Sequence, residues 1–215
     1  TIQTESNSQL SLIDEVYFIA TDSTISKKIY DRIVKLWKVS TLENIYKAYL
    51  YPDTETLIYK YIYFLSNTST SPLNLLSHVE LTSLQKRINS VSREIHRYKG
   101  FIRFQELKTN YFYSSYEPQF DITNLIIPHF VNRFPNQNLI IHDESRNYAA
   151  MYNQKQVIYY PLEKFDIEYF LGNESDYTMM WKEYLNHLTI KERINKKRQM
   201  SLMPKKYWPF ITEMK

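Results

Sequence analysis

Only two glycines, Gly100 and Gly172, occur in the 215 residues of this chain. A phosphate-cradling P-loop and a dinucleotide-binding turn each need several glycines in a short span, because only a residue without Cβ lets the backbone come so close to a phosphate. Neither can be built here, and the common nucleotide-cofactor enzymes largely fall away with them. The chain must therefore rely on packing, and 43% hydrophobic residues are enough to close a core without covalent staples. There is no cysteine, which excludes disulfides, thiolate zinc sites, a cysteine nucleophile and cysteine-held iron–sulfur clusters. That suits a reducing compartment, and a cytoplasmic location is the expectation. No stretch approaches the roughly 18 apolar residues of a membrane span. The start, Thr1 to Glu5, lacks a basic-then-apolar export pattern, although Thr1 is not an initiator methionine.

Hydrophobic periodicity sets the expected elements. Val16 to Ala20 reads as a buried strand, and Thr21-Asp22-Ser23 offers capping side chains for a helix of about 15 residues. Its apolar positions are Ile25, Ile29, Ile33, Leu36 and Trp37. Two more helical patterns follow near 41–50 and 53–65, and the polar run Ser66 to Ser71 before Pro72 reads as a linker. The longest helical pattern runs from Val79 to Tyr98, with Leu81, Leu84, Ile88, Val91, Ile95 and Tyr98 on one face and Lys86, Arg93 and Arg97 on the other. Gly100 is expected to cap it, leaving Phe101 to Gln105 as a strand. A second strand is predicted at 111–116, a helix from Ile122 to Arg133, and strands at 138–142, 147–152 and 155–160. The fold class is thus α+β: an antiparallel sheet of four to five strands in a ββαββ-like core, flanked by N-terminal and C-terminal helices. One domain is expected, with a mainly helical part at 1–66, a linker at 67–77, and the core with its C-terminal tract at 78–215.

Charge is unevenly spread. Residues 86–108 carry a net +5 and residues 181–215 a net +6, while the rest sums to −7. Two basic blocks on an acidic chain can form one face for phosphates, or can be separate solvated surfaces. In the first block Arg93, Arg97, Lys99 and Arg103 are the candidate phosphate ligands. Glu94, His96 and Asp143 are the candidates for acid/base chemistry, although Glu94 and His96 lie about 200° apart on a helix and cannot both face one substrate. In the second block Arg193, Lys197, Arg198, Lys205 and Lys206 are interleaved with Asn195, Gln199, Tyr207 and Trp208. Cations neutralise phosphates, amides read base edges and aromatic faces stack on unpaired bases. Alternatively, the aromatic pair pins the tail to the core, and Trp208 is the residue expected to do so. The five histidines form no close ligand pair, so neither a metal nor a cofactor is expected.

The run Glu94-Ile95-His96-Arg97-Tyr98-Lys99-Gly100-Phe101-Ile102-Arg103-Phe104 resembles the central signature of a bacterial family of DNA-metabolism proteins, also catalogued as domain of unknown function 4130. Similar positions continue at Glu117-Pro118, Pro128-His129-Phe130, Arg133-Phe134, Ile141-His142-Asp143 with Arg146, and Trp181-Lys182. They end with Ile190 to Asn195, Gln199, Met203 to Trp208 and Glu213. Two departures stand out: the Tyr-Asp-Gly strand that opens many relatives is missing, and Leu139 and His142 stand where relatives tend to have Trp and Tyr. The resemblance implies work on nucleic acid in DNA repair or modification, beside a radical SAM protein or a glycosylase-like protein. The leading expectation is therefore a nucleic-acid-binding accessory protein whose partner is DNA or RNA and not a membrane. A stand-alone base-removing hydrolase and a protein adaptor with a basic docking face are the alternatives.

Overall fold

The computed structural model describes residues 20–67, 79–107, 110–163, 180, 183–184, 187 and 195–211. The strand expected at 16–20 and the linker beyond residue 67 lie outside these. The chain divides into two compact units, Thr1–Arg93 and Glu94–Lys215. Among the described residues no helix is long and apolar enough to cross a membrane.

The first unit is helical, with α1 (Ser23–Trp37), α2 (Val39–Tyr49), α3 (Glu55–Asn67) and the first part of α4 (Val79–Phe101). Asp22 starts α1 as expected, its carboxylate accepting from the backbone N–H groups of Thr24 at 2.8 Å and Ile25 at 3.0 Å, donors that a helix start otherwise leaves open. Of the apolar stripe on α1, Ile33 is buried, whereas Ile25, Ile29 and Leu36 are exposed. Trp37 donates its indole N–H to the Leu65 carbonyl at 3.1 Å and so ties α1 to α3. Ala48, Leu84 and Ile88 form the core with Leu57, Ile58 and Tyr61 packed against them. Arg87 donates to the Asp53 carbonyl at 2.6 Å and to Thr54 Oγ1 at 3.0 Å, holding the turn before α3.

The second unit contains the sheet, in the order β1 (Gln105–Glu106), β2 (Tyr111–Tyr116), β3 (Asn138–Asp143), β4 (Tyr148–Tyr152) and β5 (Val157–Pro161). All neighbouring pairs are antiparallel except β2 and β3, which run parallel with Tyr113 opposite Ile140. A parallel pair needs a crossover, and α5 (Thr123–Arg133) supplies it. Strand β3 is buried from Leu139 to Asp143, which accounts for its unbroken apolar run where a half-exposed strand would alternate. Ile126, Ile127 and Phe130 of α5 are buried. The chain ends in α6 (Lys196–Leu202) and a 3-10 helix, Lys205–Phe210.

The scarcity of glycine shows in the turns. The left-handed positions fall to Lys38, Asp53, Asn110, Asn147 and Gln154, and no described glycine has a positive φ. Asn and Asp tolerate that region best among residues with a Cβ, which places the β3–β4 turn at Asn147. Gly100 corrects the sequence reading. It does not cap α4, which continues to Phe101, and the strand expected from Phe101 shrinks to Gln105–Glu106. The apolar residues of that stretch are satisfied by packing instead: Phe101 against Tyr207 and Phe104 against Phe130 and Phe134. Arg103 takes the capping role by donating to the Gly100 carbonyl at 2.7 Å. A Cβ at Gly100 would meet nothing within 4 Å. Gly100→Ala should therefore stabilise the protein by about 0.5–1 kcal/mol in urea unfolding; a left-handed cap glycine would give a loss.

Candidate functional site

Glu94 is buried at the first turn of α4 within the second unit. One carboxylate oxygen accepts from Gln119 N–H at 3.1 Å and the other from Phe120 N–H at 3.0 Å. Lys206, 112 residues along the chain, donates to the same carboxylate at 3.2 Å. A buried charge is tolerable only when paired and hydrogen-bonded, and Glu94 has both. One turn further along α4, Tyr98 donates its hydroxyl to the Glu117 carbonyl at 2.6 Å, and burial with the nearby Glu94 charge pushes that phenol strongly up.

Asp143 faces the same 117–121 segment from the sheet. Its carboxylate accepts from Ser145 N–H at 2.9 Å and from Arg146 at 2.8 Å. Arg146 also donates to the Gln119 carbonyl at 2.9 Å, so Glu94 holds this segment by its N–H groups and Arg146 by a carbonyl. Burial pushes the Asp143 carboxyl up, and the Arg146 contact pulls the other way. Tyr148 donates to Asp121 and Tyr116 shares a buried hydrogen bond of 2.7 Å with Thr123. His142 is buried, with Nε2 3.0 Å from the Leu162 carbonyl and Nδ1 2.8 Å from the Tyr113 hydroxyl. A carbonyl can only accept, so Nε2 carries a proton, and Nδ1 shares the second bond with the Tyr113 hydroxyl; burial pushes that phenol up to about 12. Of the three acid/base candidates, Glu94 and Asp143 are thus held inside hydrogen-bond networks and His96 is exposed on α4. Among the described residues no three His, Asp or Glu side chains are placed to hold a metal.

The basic candidates separate into groups. Arg97 lies over the Tyr207 ring at 5.9 Å and Lys206 at 4.8 Å, so residues of both basic blocks meet at one tyrosine. For Lys206, burial works against the charge, but Tyr207 and Glu94 outweigh it and raise the ammonium's pKa. Tyr207 is itself buried, edge-on to Tyr98 at 5.0 Å, so no base can stack on it while the 3-10 helix keeps its seat. It is the tail's anchor. Trp208 is only half-buried and donates its N–H to the Met203 carbonyl at 2.9 Å. Asn195 caps α6 by accepting from Arg198 N–H at 2.9 Å, which leaves Lys197, Arg198, Gln199 and Lys205 exposed. Arg193 lies outside the described residues. Arg93 belongs to the first unit, where it donates to the Asn89 carbonyl at 3.3 Å, and Arg103 is the cap of α4.

Lys99 lies about 200° round the helix from Arg97. Burial first, and then the charges of Lys99 and Arg133, hold His129 of α5 below its ordinary value. Arg133 lies over the Phe134 ring at 5.6 Å, and His129 is edge-on to Phe130 at 5.1 Å. Sequence reasoning did not place His129 and Arg133 in a site. Their signal was the four-residue helical spacing, which puts both on one face of α5.

Glu94→Ala should lower the melting temperature sharply, since two backbone donors and one ammonium lose their acceptor, each buried donor costing about 1–3 kcal/mol. His96→Ala, at an exposed position, should leave it within about 0.5 kcal/mol of the parent. Thermal unfolding of the pair checks both.

No curated protein and no solved structure matches the chain. The sequence model of the domain of unknown function DUF4130 matches residues 52–213, three quarters of the length. Every side chain described above, from Glu94 to Trp208, lies inside that match, and the chain belongs to the DUF4130 family.

Proposed function

We propose that this protein binds nucleic acid as an accessory of a DNA repair or modification system, with the chemistry carried by a partner of the radical SAM kind. The observation that supports this reading best is the meeting of the two basic blocks. Lys206 of the second block reaches Glu94 and shares the Tyr207 ring with Arg97 of the first. Segments more than a hundred residues apart thereby contribute cations to neighbouring surface. The carboxylate of Glu94 neutralises one of these charges, but Lys197, Arg198 and Lys205 remain exposed, which suits contact with a phosphate backbone. Tyr207 contributes by anchoring this surface and not by stacking. An accessory role fits better than a hydrolase because Glu94 and Asp143 are engaged in holding the 117–121 segment, which leaves neither carboxylate to take a proton from a substrate.

Fluorescence anisotropy with labelled single-stranded and double-stranded oligonucleotides tests the reading. Binding should be measurable at low salt and weaken steeply as salt rises. The triple change Lys197→Ala, Arg198→Ala and Lys205→Ala should reduce the slope of log Kd against log salt by about two to three, at roughly 0.7–0.9 for each phosphate no longer neutralised. The melting temperature should stay near the parent's. Absence of binding to both forms at low salt sinks the proposal.

A further inference from the structure

Helices of a packed unit normally bury one face, and α6 does not. Consecutive residues step about 100° round the axis, so six in a row sample the whole circumference. Every residue from Lys197 to Leu202 is exposed, with Met200 at 38% and Leu202 at 67%. Short helices draw most of their stability from a buried face. Here local bonds take that part: the Asn195 side chain accepts from Arg198 N–H at 2.9 Å, and the Ser201 hydroxyl donates to the Arg198 carbonyl at 2.8 Å. At its C-terminal end the helix is fastened to the 3-10 helix. Trp208 donates to the Met203 carbonyl at 2.9 Å, and its neighbour Tyr207 is the buried anchor. An anchored base thus presents a helix that is exposed all round.

Such a helix suits a concave partner that meets more than one of its faces. Between Asn195 and Trp208 stand five Lys or Arg and no Asp or Glu, so the partner is anionic. The major groove of B-form DNA is about 12 Å wide, with phosphates along both rims, and admits an α-helix about 10–12 Å across. We propose that α6 enters the major groove of double-stranded DNA, with Arg198 against a phosphate rim and Leu202 and Gln199 facing the base edges. This rests on the nucleic-acid reading above and names the form of its substrate. Arg198, Leu202 and Gln199 lie in that order within about 100° of the circumference. One sector therefore offers a cation, an apolar surface for a thymine methyl group, and an amide that can both donate and accept on an adenine edge.

The other forms of nucleic acid fit this tract less well. Single strands are held largely by bases stacked on aromatic faces. Among the described residues of the tract, Tyr207 is buried, and Trp208 and Phe210 are only half-buried. Double-stranded RNA has a deep, narrow major groove that side chains cannot read.

The experiment is fluorescence anisotropy at low salt with the intact protein and four probes of one mixed sequence. They are a DNA duplex of about 20 base pairs, two helical turns, the RNA duplex, one DNA strand alone, and a DNA duplex whose thymines carry a bulky alkynyl group at C5. That position projects into the major groove. The plain DNA duplex should bind tightest, and each of the other three about tenfold more weakly or worse. Ser201→Pro removes a backbone N–H inside α6 without altering charge. It should bind the plain duplex about tenfold more weakly, no longer tell it from the C5-substituted one, and melt near the parent's temperature. Equal parent affinity for the two DNA duplexes overturns the groove docking, as does a preference for the RNA duplex or the single strand; in each case the nucleic-acid reading stands. A folded Ser201→Pro that binds as the parent does overturns it too. If that variant melts early, the parent's two DNA duplexes alone decide. Absence of binding to all four probes removes the nucleic-acid reading and the groove docking with it.

Discussion

The second unit is organised around one buried carboxylate. Glu94 is removed from water where two backbone N–H groups and one ammonium converge on it, and each of its contacts fixes a different part of the chain. The N–H groups fix the segment between β2 and α5, and the ammonium fixes the 3-10 helix. Hydrophobic area alone would bring these pieces together but would not set their register, because burial is not directional. A buried charge is directional, since leaving any of its partners unmade costs more than the bond itself contributes. Tyr98 and Tyr207, edge-on to each other, fill the space beside it. Arg146 then holds the same 117–121 segment from the side of the sheet.

How much of this is legible in the sequence depends on whether the cause is local. The α-helices of the first unit, the long α4, the crossover α5 and strands β2 to β5 appear in the hydrophobic pattern because each is set by contacts every two or every three to four residues. Gly100 misleads because glycine near a helix end usually signals a cap, whereas here Arg103 closes the helix and the backbone never needs the left-handed region. The parallel pairing of β2 with β3 is invisible because nothing in either strand's alternation reports the direction of its neighbour. Both strands flank a helix, however, and that order is what a crossover requires.

The candidate site is legible in its residue types and not in its groupings. Glu94, Arg97, Lys206 and Tyr207 all stand out in the sequence, yet the ion pair joins positions 112 residues apart, a contact no periodicity can show. Between Tyr207 and Trp208 the pattern cannot choose the anchor, since both are aromatic and follow the same proline. The 3-10 geometry decides by turning Tyr207 inward against Tyr98 and Phe101. His129 and Arg133 escape notice because a basic block is a feature of consecutive residues, and α5 is not basic overall.

The span between Glu94 and Lys206 also sets the order in which the molecule can be made. The β3–β4–β5 meander closes through short turns and can form as soon as it is synthesised, and α5 can then bring β2 alongside. The α4 terminus, made earlier, holds a carboxylate whose ammonium partner is added more than a hundred residues later. The same late segment carries Tyr207, the ring that packs edge-on against Tyr98. In order of synthesis the residues of the sheet therefore precede both the charge and the ring that complete the surroundings of Glu94, and a chain cut before the 3-10 helix lacks both at once.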